Sequence, residues 1–181
     1  MRKGANRFCI LALLLAASLS ACKHLQTSSP EIVGSLRFSN QVYQAVLLLK
    51  ARDPDAYAVV TNYVGLIREG PRSGMRADNK PPVYEMTAAT AFYSLTWCAA
   101  TIAHDSFHAK LYREYREAHH GRVPGEVWTG NKAEQQCMTH QLAVMERIGS
   151  TRAEIDYAKT QADGHYVKDH ETWSDYRSRK W

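Results

Sequence analysis

The sequence contains few of the features that mark common classes of protein. It has only four cysteines in 181 residues and no C-x-x-C pair, which excludes a zinc site built from thiolates. It has no G-x-S-x-G motif, and neither Cys98 nor Cys137 has an obvious base partner in the sequence. The sequence therefore offers no candidate nucleophile for a serine or cysteine hydrolase. The sequence shows no internal repeat.

A strong charge imbalance is missing as well. The formal net charge is +5, but Arg2, Lys3 and Arg7 contribute three of these charges and belong to a predicted signal peptide. From residue 22 onward the net charge is +2, which gives no reason to expect nucleic acid as a partner. The 160 residues of that part are enough for one domain with a single core.

The N-terminal segment has the pattern of a secretory signal. Residues 1–7 are basic and residues 8–19 are apolar, a run too short for a permanent membrane-spanning helix. The segment ends in the letters LSAC, which resemble a bacterial lipobox, where cleavage precedes the cysteine and its thiol carries the lipid. The resemblance implies a signal peptide at residues 1–21, lipidation of Cys22 and attachment to a membrane through that lipid.

The residues after Cys22 predict localisation and domain organisation. Lys23 stands where an aspartate would favour retention in the inner membrane, so we expect the outer membrane, with the protein facing the periplasm. We interpret residues 22–37 as the lipidated cysteine and a polar tether. Residues 38–181 then form a single domain.

That domain is predicted to have an α+β fold, mostly helical, with a long buried central helix and a short sheet. Strand-forming residues predict strands at 62–69 and 83–86, the second at an edge of the sheet. Residues 70–82 and 119–130 are predicted to be loops, and the tail from residue 163 to be irregular. Periodicity and end signals predict helices at 40–52 capped by Ser39, 54–61 capped by Asp53, 87–117 starting at Thr87, 132–149 capped by Asn131 and ended by Gly149, and 151–162.

The central helix is expected to be buried rather than membrane-spanning. No charged residue occurs between Met86 and Ala103, but alanine, threonine, serine and tyrosine dominate this stretch. Cys98 lies on this helix and Cys137 on the following one. In an oxidising periplasm the two thiols could pair in a disulfide, or both could be buried and free.

Two histidines stand four residues apart on the central helix. His104 and His108 share one helical stripe with apolar and aromatic side chains. Buried imidazoles need hydrogen-bond partners, and two at this spacing can share one metal ion instead. The spacing alone is compatible with either role.

Glu134 occupies an apolar stripe of the next predicted helix. A carboxylate in line with the core is costly unless it is neutralised. It could complete a capping box with Asn131, three residues earlier. Alternatively, antiparallel packing of the two helices could bring Glu134 opposite His104 and His108, which completes the ligand set of a catalytic zinc site.

These residues resemble a known family. The run TWCAATIAHDSFHAKLY, a loop with glycines and the run AEQQCMTHQLAVMERIG are similar to small gluzincin-type zinc metallopeptidase domains of zincin-like fold, over about residues 57–150. The resemblance implies that His104, His108 and Glu134 bind one Zn²⁺ per chain. It also implies that a preceding strand, YVGLI or VYEM, lines the substrate cleft.

The chain departs from this family at the residue after the first histidine. The family has the glutamate of HExxH as its base, whereas this chain has Asp105. Aspartate has the acidity to deprotonate water, but its side chain is one methylene shorter, and a displacement of about 1 Å can cost about a hundredfold in rate. Asp105 could act as the base, support a non-catalytic metal site, or lie solvated on the flank of the helix.

Four further residues are weaker candidates. His119 or His120 could supply the third ligand if the central helix ends early, although their place beside a glycine turn favours surface histidines. His165 and Tyr166 have the chemistry to donate hydrogen bonds to a developing oxyanion from a late loop. Aromatic residues in such tails also commonly serve only in packing.

The sequence therefore predicts a membrane-anchored zinc-dependent peptidase whose substrate is a peptide or protein. The alternative is a non-catalytic envelope lipoprotein on a degenerate zincin scaffold. Such a protein would bind a protein or peptidoglycan partner.

Overall fold

The computed structural model describes residues 29–166, with side chains through residue 161. The predicted signal peptide, Cys22 and the tail after residue 166 lie outside the described residues. Within that range the chain has an α+β fold that is mostly helical, as predicted. Its elements are β1 (Glu31–Val33), α1 (Leu36–Arg52), α2 (Pro54–Tyr63), β2 (Leu66–Glu69), β3 (Gly74–Arg76), β4 (Val83–Met86), α3 (Ala88–Tyr93), α4 (Leu95–His119), α5 (Gly125–Thr129), α6 (Asn131–Ile148) and α7 (Arg152–Tyr166).

The sheet is mixed and has the strand order β1-β2-β4-β3. Strands β1, β2 and β4 run parallel, and β3 pairs antiparallel with β4, with Met75 opposite Tyr84. The prediction that residues 83–86 form an edge strand is wrong, because β3 covers that side. Strand β3 lies inside the predicted loop 70–82, where glycine and charge conceal the one apolar position that the strand buries, Met75.

The first elements begin earlier than predicted. The predicted tether contains β1, which pairs with β2, and the start of α1. Helix α1 is capped by Ser35, whose hydroxyl oxygen accepts from the Phe38 amide at 3.3 Å, and not by Ser39. Asp53 caps α2 as predicted and accepts from the Ala56 amide at 3.1 Å. The predicted strand 62–69 is shorter, because α2 takes its first two residues.

The predicted central helix is two helices. Thr87 caps α3 as expected, but the backbone of Ser94 is extended and separates α3 from α4. The Ser94 hydroxyl accepts from the Trp97 amide at 2.9 Å and donates to Glu154 of α7. Ser94 therefore satisfies the start of α4 and joins it to α7, two interactions that a continuous helix would lose. Helix α4 is long and largely buried in its first half, as predicted.

The connection before α6 is more regular than predicted, because residues 119–130 contain the short helix α5. Helix α6 is capped by Gly130, without a side-chain hydrogen bond, so the capping box expected from Asn131 and Glu134 is absent. A Cβ atom on Gly130 would lie 2.8 Å from the carbonyl oxygen of Glu126, so the end of α5 leaves no room for a side chain at this position. Gly149 ends α6 in the left-handed conformation, as predicted.

Helix α4 lies at the centre of the domain. It packs against α1 and α2 on one side and makes its largest contact with α6. The core between these helices is formed by apolar side chains with little or no exposure. No helix within residues 29–166 combines the length and apolar character needed to cross a membrane. The fold thus places the first half of α4, with both histidines, against α6.

Candidate metal centre

Three ligand-type side chains from two helices converge in the core. His104 and His108 lie one turn apart on α4, and their Nε2 atoms are 3.1 Å apart. The Oε2 atom of Glu134, from the first turn of α6, lies 3.5 Å from Nε2 of His104 and 3.7 Å from Nε2 of His108. All three residues are buried. Together they form a group that could hold a metal ion.

The spacing of these atoms matches that of ligands around one small cation. Nitrogen and oxygen ligands lie about 2.0–2.1 Å from zinc in tetrahedral sites, which places neighbouring ligand atoms about 3.3–3.4 Å from each other. The observed separations of 3.1, 3.5 and 3.7 Å lie on both sides of that value. Only small shifts would therefore bring the three atoms to a common metal.

A backbone carbonyl orients His108 toward the cluster. The Nδ1–H group of His108 donates to the carbonyl oxygen of Trp128, in the last turn of α5. This hydrogen bond fixes the tautomer, so that neutral His108 presents the lone pair of Nε2 to Glu134 and His104. Metal-binding histidines in proteins are commonly oriented by such a hydrogen bond from the other ring nitrogen.

His104 has charged and polar neighbours on α6. Burial lowers the pKa of His104, but the hydrogen bond and negative charge of Glu134 outweigh burial, with help from Asp105 and Gln141, and the pKa is raised overall. His108 faces Glu134 and the Trp128 carbonyl of α5, whereas His104, one turn earlier, faces Glu134 and Gln141.

Asp105 is buried, with 7% of its surface exposed, so it is not a solvated residue on the helix flank. Burial raises its pKa to about 7, and the charge of Glu134 adds to this effect. The neighbouring His104 and the polar groups of Tyr84 and Met75 act in the opposite direction. The carboxylate of Asp105 thus lies between the histidine cluster and strands β3 and β4.

A narrow cleft opens beside the cluster, with a cavity volume of about 40 Å³. His104 and Asp105 lie in its wall. The sheet contributes Ser73 and Gly74 near β3 and Tyr84 from β4. The remaining lining residues are uncharged and come from the helices, namely Thr90, Trp97, Thr101, Met138, Gln141 and Gln161. Among the residues whose side chains the structure describes, the carboxylate and the imidazole in the cleft wall are those of Asp105 and His104.

Other candidates from the sequence lie apart from this site. Helix α4 continues through His119, and both His119 and His120 are exposed at its end, so neither supplies the third ligand. The expected late loop with His165 and Tyr166 is instead the last turn of α7, and their side chains lie outside the described part of the chain. That expectation of a loop is wrong because α7 continues past residue 162.

The two cysteines of the domain are free. Cys98 and Cys137 are both buried, so the structure has two buried thiols rather than a disulfide. Burial raises the pKa of Cys98 to about 12 and, together with the charges of Glu134 and Asp105, raises the pKa of Cys137 well above its usual range. Protonated thiols are poor nucleophiles, which agrees with the absence of cysteine hydrolase features in the sequence.

Several parts of the site were not found from the sequence. The carbonyl of Trp128 belongs to a helix that was predicted to be a loop, and a backbone acceptor carries no side-chain signal. Ser73 and Gly74 belong to the missed region around β3. Tyr84 lies on a strand that was predicted, in VYEM, and its alternation with Glu85 was the available signal that it faces the core.

The chain was also compared with known proteins. No protein-family description matches it, and no curated protein or solved structure matches it either.

Proposed function

We propose that this protein is a zinc-dependent peptidase held in the bacterial cell envelope by a lipid on Cys22. The observation that carries the proposal is the convergence of His104, His108 and Glu134, with atom separations of 3.1 to 3.7 Å. The anchor is proposed from the signal-like segment and LSAC sequence alone.

The donor set favours zinc over other common metals. Two imidazole nitrogens and one carboxylate oxygen are ligands of catalytic zinc sites, which leave a fourth position for water or substrate. Calcium and magnesium prefer sites made of oxygen atoms. When bound, zinc acts as a Lewis acid and lowers the pKa of water. Trp128 supports this role because its carbonyl holds His108 in the tautomer that binds a metal through Nε2.

Asp105 is the proposed base. It follows a metal ligand, lies in the cleft wall and has a carboxylate that can accept a proton from water. This carboxylate is buried beside Tyr84 and Met75 of the sheet, and an orientation fixed in advance by packing lowers the entropy cost of proton transfer. Asp105 then passes the proton to the leaving amine, in the second half of the proposed reaction.

The cleft suits an extended peptide. Strand β3 is at the edge of the sheet, and Ser73 and Gly74 line the cleft next to His104. A peptide in extended conformation can lie beside an edge strand and form backbone hydrogen bonds with it. This geometry supports a peptide bond as the substrate, near the metal cluster.

One observation favours the alternative of a non-catalytic metal-binding lipoprotein. Asp105 lies beside Tyr84 and Met75 of the sheet, and its side chain is one methylene shorter than that of the family's glutamate. If the carboxylate does not reach water at the metal, the site holds zinc without hydrolysis. The protein would then bind a protein or peptidoglycan partner.

The deciding experiment compares metal content and hydrolysis in the same preparations. We expect about one zinc per chain in the purified protein and cleavage of a fluorescent casein substrate that stops on addition of a chelator. His108→Ala should lose both zinc and cleavage, whereas the exposed His120→Ala should keep both. Zinc without cleavage supports the non-catalytic alternative, and the absence of zinc binding excludes both forms of the proposal.

A further inference from the structure

Exposed apolar side chains are concentrated at the start of the described chain. Leu36 is 80% exposed, Tyr43 53% and Leu47 37%. These three residues are seven and four positions apart on α1, so they lie on one side of the helix. Val33, at the end of β1, is exposed as well. We call Leu36, Tyr43 and Leu47 the outer face of α1.

The opposite side of α1 packs against the rest of the domain. Phe38, Val42, Ala45 and Leu49 are fully buried against the core. The helix therefore does not need its outer face for folding. Large apolar side chains that remain exposed along a row, next to a face that is already packed, are typical of an interaction surface.

The charges on α1 are all of one sign. Arg37, Lys50 and Arg52 are exposed, and the helix contains no aspartate or glutamate. A helix with apolar side chains and flanking basic residues on its accessible side is suited to the surface of a membrane with anionic lipids. Arg37 lies over the ring of Phe92, with 4.3 Å between its Cζ atom and the ring centroid, so its position at this surface is fixed by packing.

We propose that the outer face of α1 rests on the anionic membrane surface to which the chain is anchored. Only eight residues separate Cys22 from β1, and an extended chain of that length reaches at most about 30 Å. A lipid on Cys22 would therefore hold the β1–α1 end of the domain close to the bilayer. The contact with α1 then orients the whole domain on the membrane.

The orientation has a consequence for the metal centre. Helix α1 packs directly against α4, which carries His104 and His108. Docking of α1 thus holds the metal centre at a fixed distance from the lipid surface. This membrane contact does not depend on whether the metal centre is catalytic.

The test measures the exposure of two tyrosines on vesicles. Tyr43 and Tyr157 have similar exposure in the protein, 53% and 42%, but only Tyr43 belongs to the outer face of α1. The full chain is oxidised with hydroxyl radicals, free and on vesicles of phosphatidylethanolamine and phosphatidylglycerol, and modification is read by mass spectrometry. We expect modification of Tyr43 to fall severalfold on vesicles, and that of Tyr157 to stay unchanged.

A pair of variants provides the matched control. Leu36→Asp combined with Leu47→Asp should restore modification of Tyr43 on vesicles, whereas Leu95→Asp, at another exposed apolar residue, should leave the protection intact. The proposal is overturned if vesicles leave Tyr43 as reactive as before, or if they protect Tyr157 to the same degree. Protection of Tyr43 without vesicles that grows with protein concentration would assign this face to a second copy of the chain, and also overturns the proposal.

Discussion

Nε2 of His104 lies 3.1 Å from Nε2 of His108, and the carboxylate of Glu134 is within 3.7 Å of both nitrogen atoms. This arrangement is held from outside the cluster by the carbonyl of Trp128, which accepts from Nδ1 of His108. A single cation can interact with all three ligand atoms at once. The cluster is therefore organised before any metal binds.

Glu134→Gln should weaken zinc binding by about a hundredfold or more, because the substitution keeps the volume and removes the negative charge that faces two imidazoles. Loss of an outer-shell partner alone costs about 10–100-fold, and Glu134 is proposed as a direct ligand. Isothermal titration with zinc measures the affinity. Glu146→Gln, at an exposed position on the same helix, should bind zinc as the unmodified protein does, and equal affinity in both variants would contradict the proposed ligand.

Zinc should also stabilise the fold. A ligand that binds only the native state stabilises it by about 4 kcal/mol at a concentration 1,000 times Kd, so a chelator should lower the melting temperature by several degrees or more. The Glu134→Gln variant should show a much smaller response to zinc and to chelator. Differential scanning calorimetry measures the response to zinc and to chelator. A melting temperature that does not change with zinc would contradict a native metal site.

Asp105→Asn should lower the rate of peptide hydrolysis by about a hundredfold or more, while zinc remains bound. The amide cannot take a proton, but it keeps the size of the side chain in a buried position. Asp105→Glu should keep or raise hydrolysis, although the added methylene in a packed site could cost about 1–3 kcal/mol of stability. Fluorescent peptide turnover and metal content are measured together, and wild-type turnover in Asp105→Asn would remove Asp105 from the mechanism.

Asp53→Ala should destabilise the domain by about 1–2 kcal/mol. Asp53 caps α2, a contribution worth about 0.5–2 kcal/mol, and its second oxygen accepts from Arg147 of α6 at 2.6 Å. Arg147 is half exposed, so the ion pair adds little beyond the cap. Urea unfolding measures the loss, and Asp55→Ala, an exposed residue of the first turn, should cost clearly less.

Glu154 should contribute stability that depends on pH. Burial raises its pKa, but hydrogen bonds from Ser94, Thr96 and Thr151 outweigh burial, and the pKa lies below its ordinary value of 4.5. A lowered folded-state pKa gives stability that is present above the unfolded-state value and is lost as pH falls through the folded-state value. The difference in unfolding free energy between wild type and Glu154→Gln should therefore shrink below about pH 4.5, and a difference independent of pH would refute this role.

The three residues of the cluster were predictable because the sequence patterns that indicate them are local or periodic. His104 and His108 stand at helical spacing on a stripe of apolar side chains, and Glu134 stands on another. A buried carboxylate needs a partner that neutralises it, and this requirement indicated a contact between the two helices. The cap of α2 and the end of α6 were predictable for the same reason, because Asp53, with the proline after it, and Gly149 act within a few residues.

The missed features depend on contacts between distant segments. Ser94 interrupts the central helix because Glu154, sixty residues away, is also bound there. Strand β3 exists because β4 pairs with it, although its own sequence of three residues has little preference for a strand. None of these interactions produces a periodic pattern or a motif that can be read in the sequence.

The close approach at Gly130 connects two supports of the metal cluster. The residue stands between the Trp128 carbonyl, which holds His108, and Glu134, whose amide donates to the Gly130 carbonyl at 2.9 Å. A methyl group at this position would push against the backbone of Glu126 and move both supports together. A residue with no side chain thus affects how the cluster is assembled, and its replacement would shift that geometry without touching His104, His108 or Glu134.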